Sequence, residues 1–213
     1  MSAVQSPKNA GRPRSFDRNV ALAAATRLFW TKGYASTSIA DLTAAMGIGS
    51  PSLYAAFGSK EALYAEAVGY YRQAYEELVW GRFHAAGTAA EAIRALLMDS
   101  AAALTGSVVD IPRGCMVTLS AVGPEGPPAL GDLVREARAG TFNLVRARLD
   151  RAVEDGELPA SSDLDAIARF VQSVQNGMSI QARDGAARED LEAVAQMAIG
   201  VLPANSVAVP VNG

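Results

Sequence analysis

Residues 37–60 read TSIADLTAAMGIGSPSLYAAFGSK, and the punctuation of this stretch decides the fold. Behind Ser38, the residues Ile39, Leu42 and Ala45 recur at three-residue steps, the pattern of a short helix with one apolar stripe. Met46, Gly47 and Ile48 close it, because glycine takes the left-handed conformation that ends a helix and Ile48 tucks back on the apolar face. Ser50 and Pro51 open a second helix: serine suits the N-cap, and proline suits the first helical position, where its missing N–H costs nothing. Leu53 and Phe57, four apart, face inward and leave Ser50, Ser52, Tyr54 and Ala55 outward. Two short helices around such a turn make a helix-turn-helix, whose second helix can enter a DNA major groove.

Outward from this pair, the spacing predicts helices throughout. Residues 1–14, ending in GRPR, are polar and rich in small residues and read as a flexible basic arm. Arg12 and Arg14 on it suit phosphates or a narrow minor groove. Ser15 caps a helix from about Phe16 to Thr31, with Phe16, Val20, Ala24 and Leu28 on one stripe and Ala21, Ala25 and Phe29 beside it. Ser59 caps a long helix of about 35 Å that joins head to body as a rod. Thr88 and Glu91 form a capping box at the next. The loop at 106–112 is followed by a short apolar segment, Cys115 to Val122, and by the break GPEGPP at 123–128. Further helices run from Pro128 to about Asp155, from Asp163 behind Ser161 and Ser162, and from about Arg188 to Leu202. Nothing alternates like a strand, so the fold class is all-α: a helix-turn-helix head over 15–62, a larger helical body over 63–202, and a loose tail over 203–213.

The 213 residues carry a formal net charge of −3, unevenly placed. Residues 1–60 hold seven basic and two acidic side chains, net +5, while the rest of the chain is acidic. A basic head on an acidic body suits a polyanion partner. The first residues contain no apolar core of a signal peptide and no run approaches a membrane span, so a cytoplasmic location without membrane contact is expected. One cysteine, Cys115, cannot form an internal disulfide, and one histidine, His84, cannot by itself make a metal site. No cofactor is expected.

Taken together, Phe29, Gly33, Tyr34, Thr37, Ser38, Ile39, Asp41, Leu42, Gly47, Ser52, Leu53, Tyr54, Phe57, Ser59, Lys60 and Glu61 resemble the DNA-binding domain of TetR-family transcriptional regulators, over about residues 15–65. The resemblance implies an all-helical homodimer whose heads bind a palindromic operator duplex and whose body holds a small-molecule effector that sets the distance between them. It also implies that Thr37, Ser38, Tyr54 and Lys60 grip phosphates, and that Ser50, Pro51 and Ser52 approach base edges. Ala55 and Ala56 depart from the larger residues common there, so direct readout should be sparse and shape readout correspondingly important.

In the body, Trp80, Phe83, Met98, Met116, Leu119, Phe142, Phe170 and Met178 are candidates for the lining of an effector pocket, which suits a small apolar or amphipathic molecule. His84, Gln172, Gln175 and Asn176 are candidate polar fixers. The last two helices, about 163–202, carry Gly177 and many alanines and suit pairing with a symmetry mate. Cys115, beside Arg113, offers an alternative control by thiol oxidation or electrophile addition. From other classes, an all-α enzyme lacks paired carboxylates, a nucleophile with its base, or a phosphate-cradling loop. A constitutive DNA-binding structural protein would differ by ignoring metabolites.

Overall fold

The computed structural model describes residues 16–120 and 127–200, and in these the chain forms nine helices and no strand. Helix α1 spans Arg18–Lys32. Ser15 lies outside the described residues, and Asp17 does the capping, its carboxylate accepting from Asn19 N–H at 2.8 Å and Val20 N–H at 3.2 Å. The buried face of α1 is turned from the expected stripe: Ala21, Leu22, Ala25, Phe29 and Trp30 are inside, and Val20 is 65% exposed. Helix α2, Ile39–Met46, has Ser38 and Asp41 as a reciprocal capping box and ends at Gly47 with φ +65°, the left-handed value foreseen. Leu42 and Met46 point inward; Ala45 is exposed, because the four-residue step to Met46 is the one that reaches the core.

Helix α3 covers Ser50–Phe57, one residue earlier than expected, with Gly49 as its N-cap. Ser50 and Pro51 are then its first two residues. This placement is equally cheap for proline, since none of the first N–H groups has an intrahelical partner. Helix α4, Lys60–Ala85, is capped by Ser59, which accepts from Ala62 N–H at 3.1 Å; its 26 residues span about 39 Å. Helix α5, Ala89–Leu104, has the Thr88–Glu91 capping box. A short α6 follows at Met116–Leu119, then α7 at Pro128–Glu154, α8 at Leu164–Arg183 and α9 at Arg188–Gly200. Asp163, rather than the serines before it, caps α8 by accepting from Ala166 N–H at 2.9 Å. The 123–126 part of the expected break and the 203–213 tail lie outside the described residues.

Two cores result. One joins α1, α2, α3 and the first turns of α4, and it also takes in Met116, Val117, Leu130 and Val134 from farther along the chain. Phe29, Tyr34 and Tyr64 pack there edge to face or stacked, with centroids 5.0–6.3 Å apart. The other core is centred on α5, whose Ala92, Leu96, Leu97 and Ala101 are fully buried among α4, α7, α8 and α9. No helix among the described residues is long and apolar enough to cross a membrane.

Candidate nucleic-acid interface and effector cavity

The amphipathic split of α3 sets the outer surface of the head. Leu53 is 0% exposed and Phe57 4%, which anchors the helix, while Ser50, Pro51, Ser52, Tyr54 and Ala55 all face solvent. Tyr54 is 47% exposed. Lys60, at the start of α4, lays its ammonium 4.3 Å over the Tyr34 ring. Partial burial lowers its pKa, opposed by Glu61. Burial first, and then a 2.8 Å hydrogen bond donated to Glu61, push the Tyr34 hydroxyl up to about 12. Ser38 is exposed beside α3's partner helix.

Thr37 does not join this surface. It is 1% exposed and its hydroxyl donates to Gly33 C=O at 2.6 Å, closing the turn between α1 and α2. A side chain spent on a buried carbonyl is not available to a phosphate, so only the backbone remains to Thr37. The head's charge is also partly internal: Arg18 pairs with Glu66 at 2.8 Å, Arg27 with Asp110 at 3.3 Å and Lys32 with Asp41 at 2.9 Å. The Ser38 N–H and then Lys32 hold the Asp41 carboxyl down at about 2. Arg12 and Arg14 lie outside the described residues.

In the body, α4, α5, α6, α7 and α8 diverge around a cavity of about 110 Å³. Tyr71, Tyr75, Val79, Trp80, Leu104 and Leu144 form its apolar wall, and Ala137, Gly140 and Thr141 on α7 are small enough to leave the gap. Of the eight apolar candidates, Trp80 alone lines it. Phe83 and Met178 are buried in the body core with Met98 and Phe142 against it, Met116 belongs to the head's core, and Leu119 lies against Gly114. Phe170 is 39% exposed on α8. Helical spacing identifies inward residues, but most inward positions are close-packed, and a void forms only where a neighbouring helix carries small ones. Gln175 and Asn176 do line the cavity, whereas Gln172 donates to Arg138 C=O at 2.7 Å and His84 is exposed. Tyr71, Tyr75, Thr118, Arg138 and Thr141 escaped the sequence reading, because polar or aromatic residues on an amphipathic helix carry no mark of which neighbour they meet.

Cys115 is also in the wall, and its sulfur accepts from the Tyr71 hydroxyl at 3.2 Å. Burial raises the Tyr71 pKa well above its ordinary value. Arg113, its sequence neighbour, instead donates to Ala186 C=O at 2.7 Å. Among the described residues, no group of three or more His, Cys, Asp or Glu side chains is placed to hold a metal ion.

Head and body meet at a joint made of backbone carbonyls. Arg183, ending α8, donates to Trp30 C=O at 2.8 Å and Thr31 C=O at 3.3 Å, two of the orphan acceptors at the end of α1, and to Arg113 C=O at 2.9 Å. The Trp30 indole N–H donates to Gly114 C=O at 2.9 Å. Gly114 has φ +78°, and a Cβ there would sit 2.8 Å from Ser179 C=O, so only glycine fits. The joint therefore ends one residue from Cys115 and the cavity wall.

An all-helical chain with an N-terminal helix-turn-helix head on a larger helical body defines a class, that of one-component helical regulators. Residues 21–67 match the family described as bacterial regulatory proteins, tetR family. The chain is 33% identical to the HTH-type transcriptional repressor ComR of Escherichia coli, over 92% of this chain and 93% of that protein. It is 30% identical to the HTH-type transcriptional repressor BdcR of the same species, over 88% and 90% respectively. A cysteine mutant of the TetR family transcriptional regulator CifR, complexed with 26-bp double-strand operator DNA, superposes with a TM-score of 0.85 at 40% identity, over 90% of this chain and 100% of that one. The chain belongs to the tetR family and is a DNA-binding transcriptional regulator.

Proposed function

We propose that this regulator is a homodimeric repressor which binds a palindromic operator through α3 and is released when a small effector enters the cavity. The observation that carries the reading is the division of α3: two buried anchors, Leu53 and Phe57, hold a helix whose other side, Ser50 to Ala55, is wholly exposed. Ser50, Pro51 and Ser52 then approach base edges, Tyr54, Ser38 and Lys60 hold phosphates, and the small face leaves much of the specificity to DNA shape, dimer spacing and the Arg12 and Arg14 arm. Pairing through α8 and α9 is supported by apolar side chains left open there, Phe170, Ile180 at 52% and Met197 at 73% exposure. Two heads so paired meet successive major grooves roughly 34–36 Å apart.

Control follows from differential affinity. An effector that fits the cavity better in one arrangement of α4 and α6 shifts the population of head spacings. Fluorescence anisotropy with duplex DNA tests the interface: Tyr54→Ala should weaken binding to all sequences alike, by about 1–3 kcal/mol, with the melting profile unchanged. Unaltered affinity in that variant contradicts the assignment of α3.

Cys115 supports a second mode of control, because its sulfur lies in the cavity wall under the Tyr71 hydroxyl. An electrophile would add to the thiol and occupy the cavity covalently. Alkylation of Cys115 that leaves operator affinity unchanged removes this mode.

A further inference from the structure

The cavity wall has a chemical bias that points to a class of effector, an inference that rests on the cavity being the effector site. Its two amides have their oxygens engaged: Gln175 Oε1 accepts from Thr141 at 3.3 Å and Asn176 Oδ1 accepts from Thr118 at 3.2 Å. Gln175 Nε2 gives one hydrogen to Ser100 Oγ at 2.9 Å. The other Gln175 hydrogen and both on Asn176 Nδ2 have no partner among the described residues, so these amides have donors left to offer.

Arg138 adds a charge. It is half-buried in the wall and donates from Nε to Val117 C=O at 3.2 Å and from Nη2 to Ser120 C=O, with no carboxylate in reach among the described residues. The contrast is Arg148, 6% exposed, which has Glu157 at 3.0 Å. Arg183 shares the carbonyl-only pattern but lies at the joint, outside the cavity. Carbonyl dipoles take two of the five hydrogens of the Arg138 guanidinium and leave its charge uncompensated among the described residues. The other charged lining residues, Arg72 and Glu76, are of opposite sign and exposed, so the interior carries a net positive charge. Arg138 and Asn176 both reach α6, through Val117 and Thr118, adjacent residues of that helix.

We propose that the effector is a small carboxylate with an aromatic or compact apolar body. The carboxylate takes Arg138 and the free Asn176 amide hydrogens, and the body lies against Tyr71, Tyr75 and Trp80. A cavity of this size is on the scale that accepts a single aromatic ring. The same contact supplies the control. A carboxylate is a stronger acceptor than a peptide carbonyl, so it draws the guanidinium from Val117 and Ser120. This loosens α6, whose Met116 and Val117 fill the head's core next to the Trp30–Gly114 joint.

Titration calorimetry on the full chain tests this with matched acid and amide pairs: benzoate and benzamide, phenylacetate and phenylacetamide, isovalerate and isovaleramide. At least one acid should bind about tenfold more tightly than its amide, a difference of ~1.4 kcal/mol. Arg138→Met should bring the two within about twofold, and Arg138→Lys should keep part of the preference. Circular dichroism verifies the fold of each variant, and Asn176→Leu, which should reduce the preference severalfold, serves if Arg138→Met does not fold. Amides that bind as well as the acids, or a preference that survives Arg138→Met, overturn the carboxylate class and leave the cavity as effector site. Six compounds that all fail to bind at millimolar concentration overturn both.

Discussion

The outer face of α3 lies within one run of eight residues, whereas the cavity wall draws Tyr71, Ser100, Thr118, Arg138 and Gln175 from five helices. In the head, Tyr54 and Ser38 are fixed by anchors within three residues: Tyr54 by Leu53 and Phe57, and Ser38 by Asp41. In the cavity, the polar groups are fixed by partners 18 to 75 positions distant, as Ser120 fixes Arg138 and as Thr141 and Ser100 fix Gln175. The proposed recognition surface is therefore written locally and the proposed control site through tertiary contact. The two should respond differently to substitution.

The largest effect is expected from Leu53→Ala. Leu53 is fully buried, and its truncation should cost about 2–5 kcal/mol. A melt followed by near-ultraviolet circular dichroism would sharpen the comparison if the head unfolds first, and break it if head and body melt as one unit. Next is Arg183→Ala, which leaves the carbonyls of Trp30, Thr31 and Arg113 without their charged donor. A loss of about 1.5–3 kcal/mol in urea unfolding is expected, together with altered operator affinity although Arg183 is remote from α3. Operator affinity that does not move would mean that the joint holds the fold without setting the head.

A smaller change is expected from Lys60→Ala, which removes the one phosphate contact proposed for that side chain. The slope of log affinity against log salt should fall by about one, uniformly across sequences. Asp41 gives the smallest. Its carboxyl ionises at about 2 in the fold against an ordinary 3.8, so the ionised form is the one favoured by folding. That contribution is complete above about pH 4 and is lost as pH falls toward 2. Acid unfolding of Asp41→Asn should lack this component, whereas neutral-pH stability drops.

The same contrast explains what was legible in the chain. The caps at Ser59 and Thr88, the stop at Gly47 and the anchors Leu53 and Phe57 are local, and each stands in the structure where the residues place it. The cap of α1 is Asp17, two residues after the Ser15 expected, and an aspartate so near a serine gives the chain no local mark of which begins the helix. The Thr37 side chain differs from expectation for a tertiary reason: a threonine before a helix suits a phosphate or a carbonyl equally, and Gly33 C=O is 2.6 Å away. Trp80, Gln175 and Asn176 could be named because their helices were clear. Tyr71 and Arg138 could not, since their roles depend on small residues at 137, 140 and 141 opening a gap on another helix.

Selection of duplex fragments from a randomised pool at physiological salt, with the intact protein and with Tyr54→Ala in parallel, addresses the central claim most directly. A palindromic sequence with half-sites about one helical turn apart should be enriched by the intact protein. The variant should return the same sequence with much lower recovery. Equal recovery by both proteins, or no sequence enriched over the starting pool, would contradict an operator-binding role for α3.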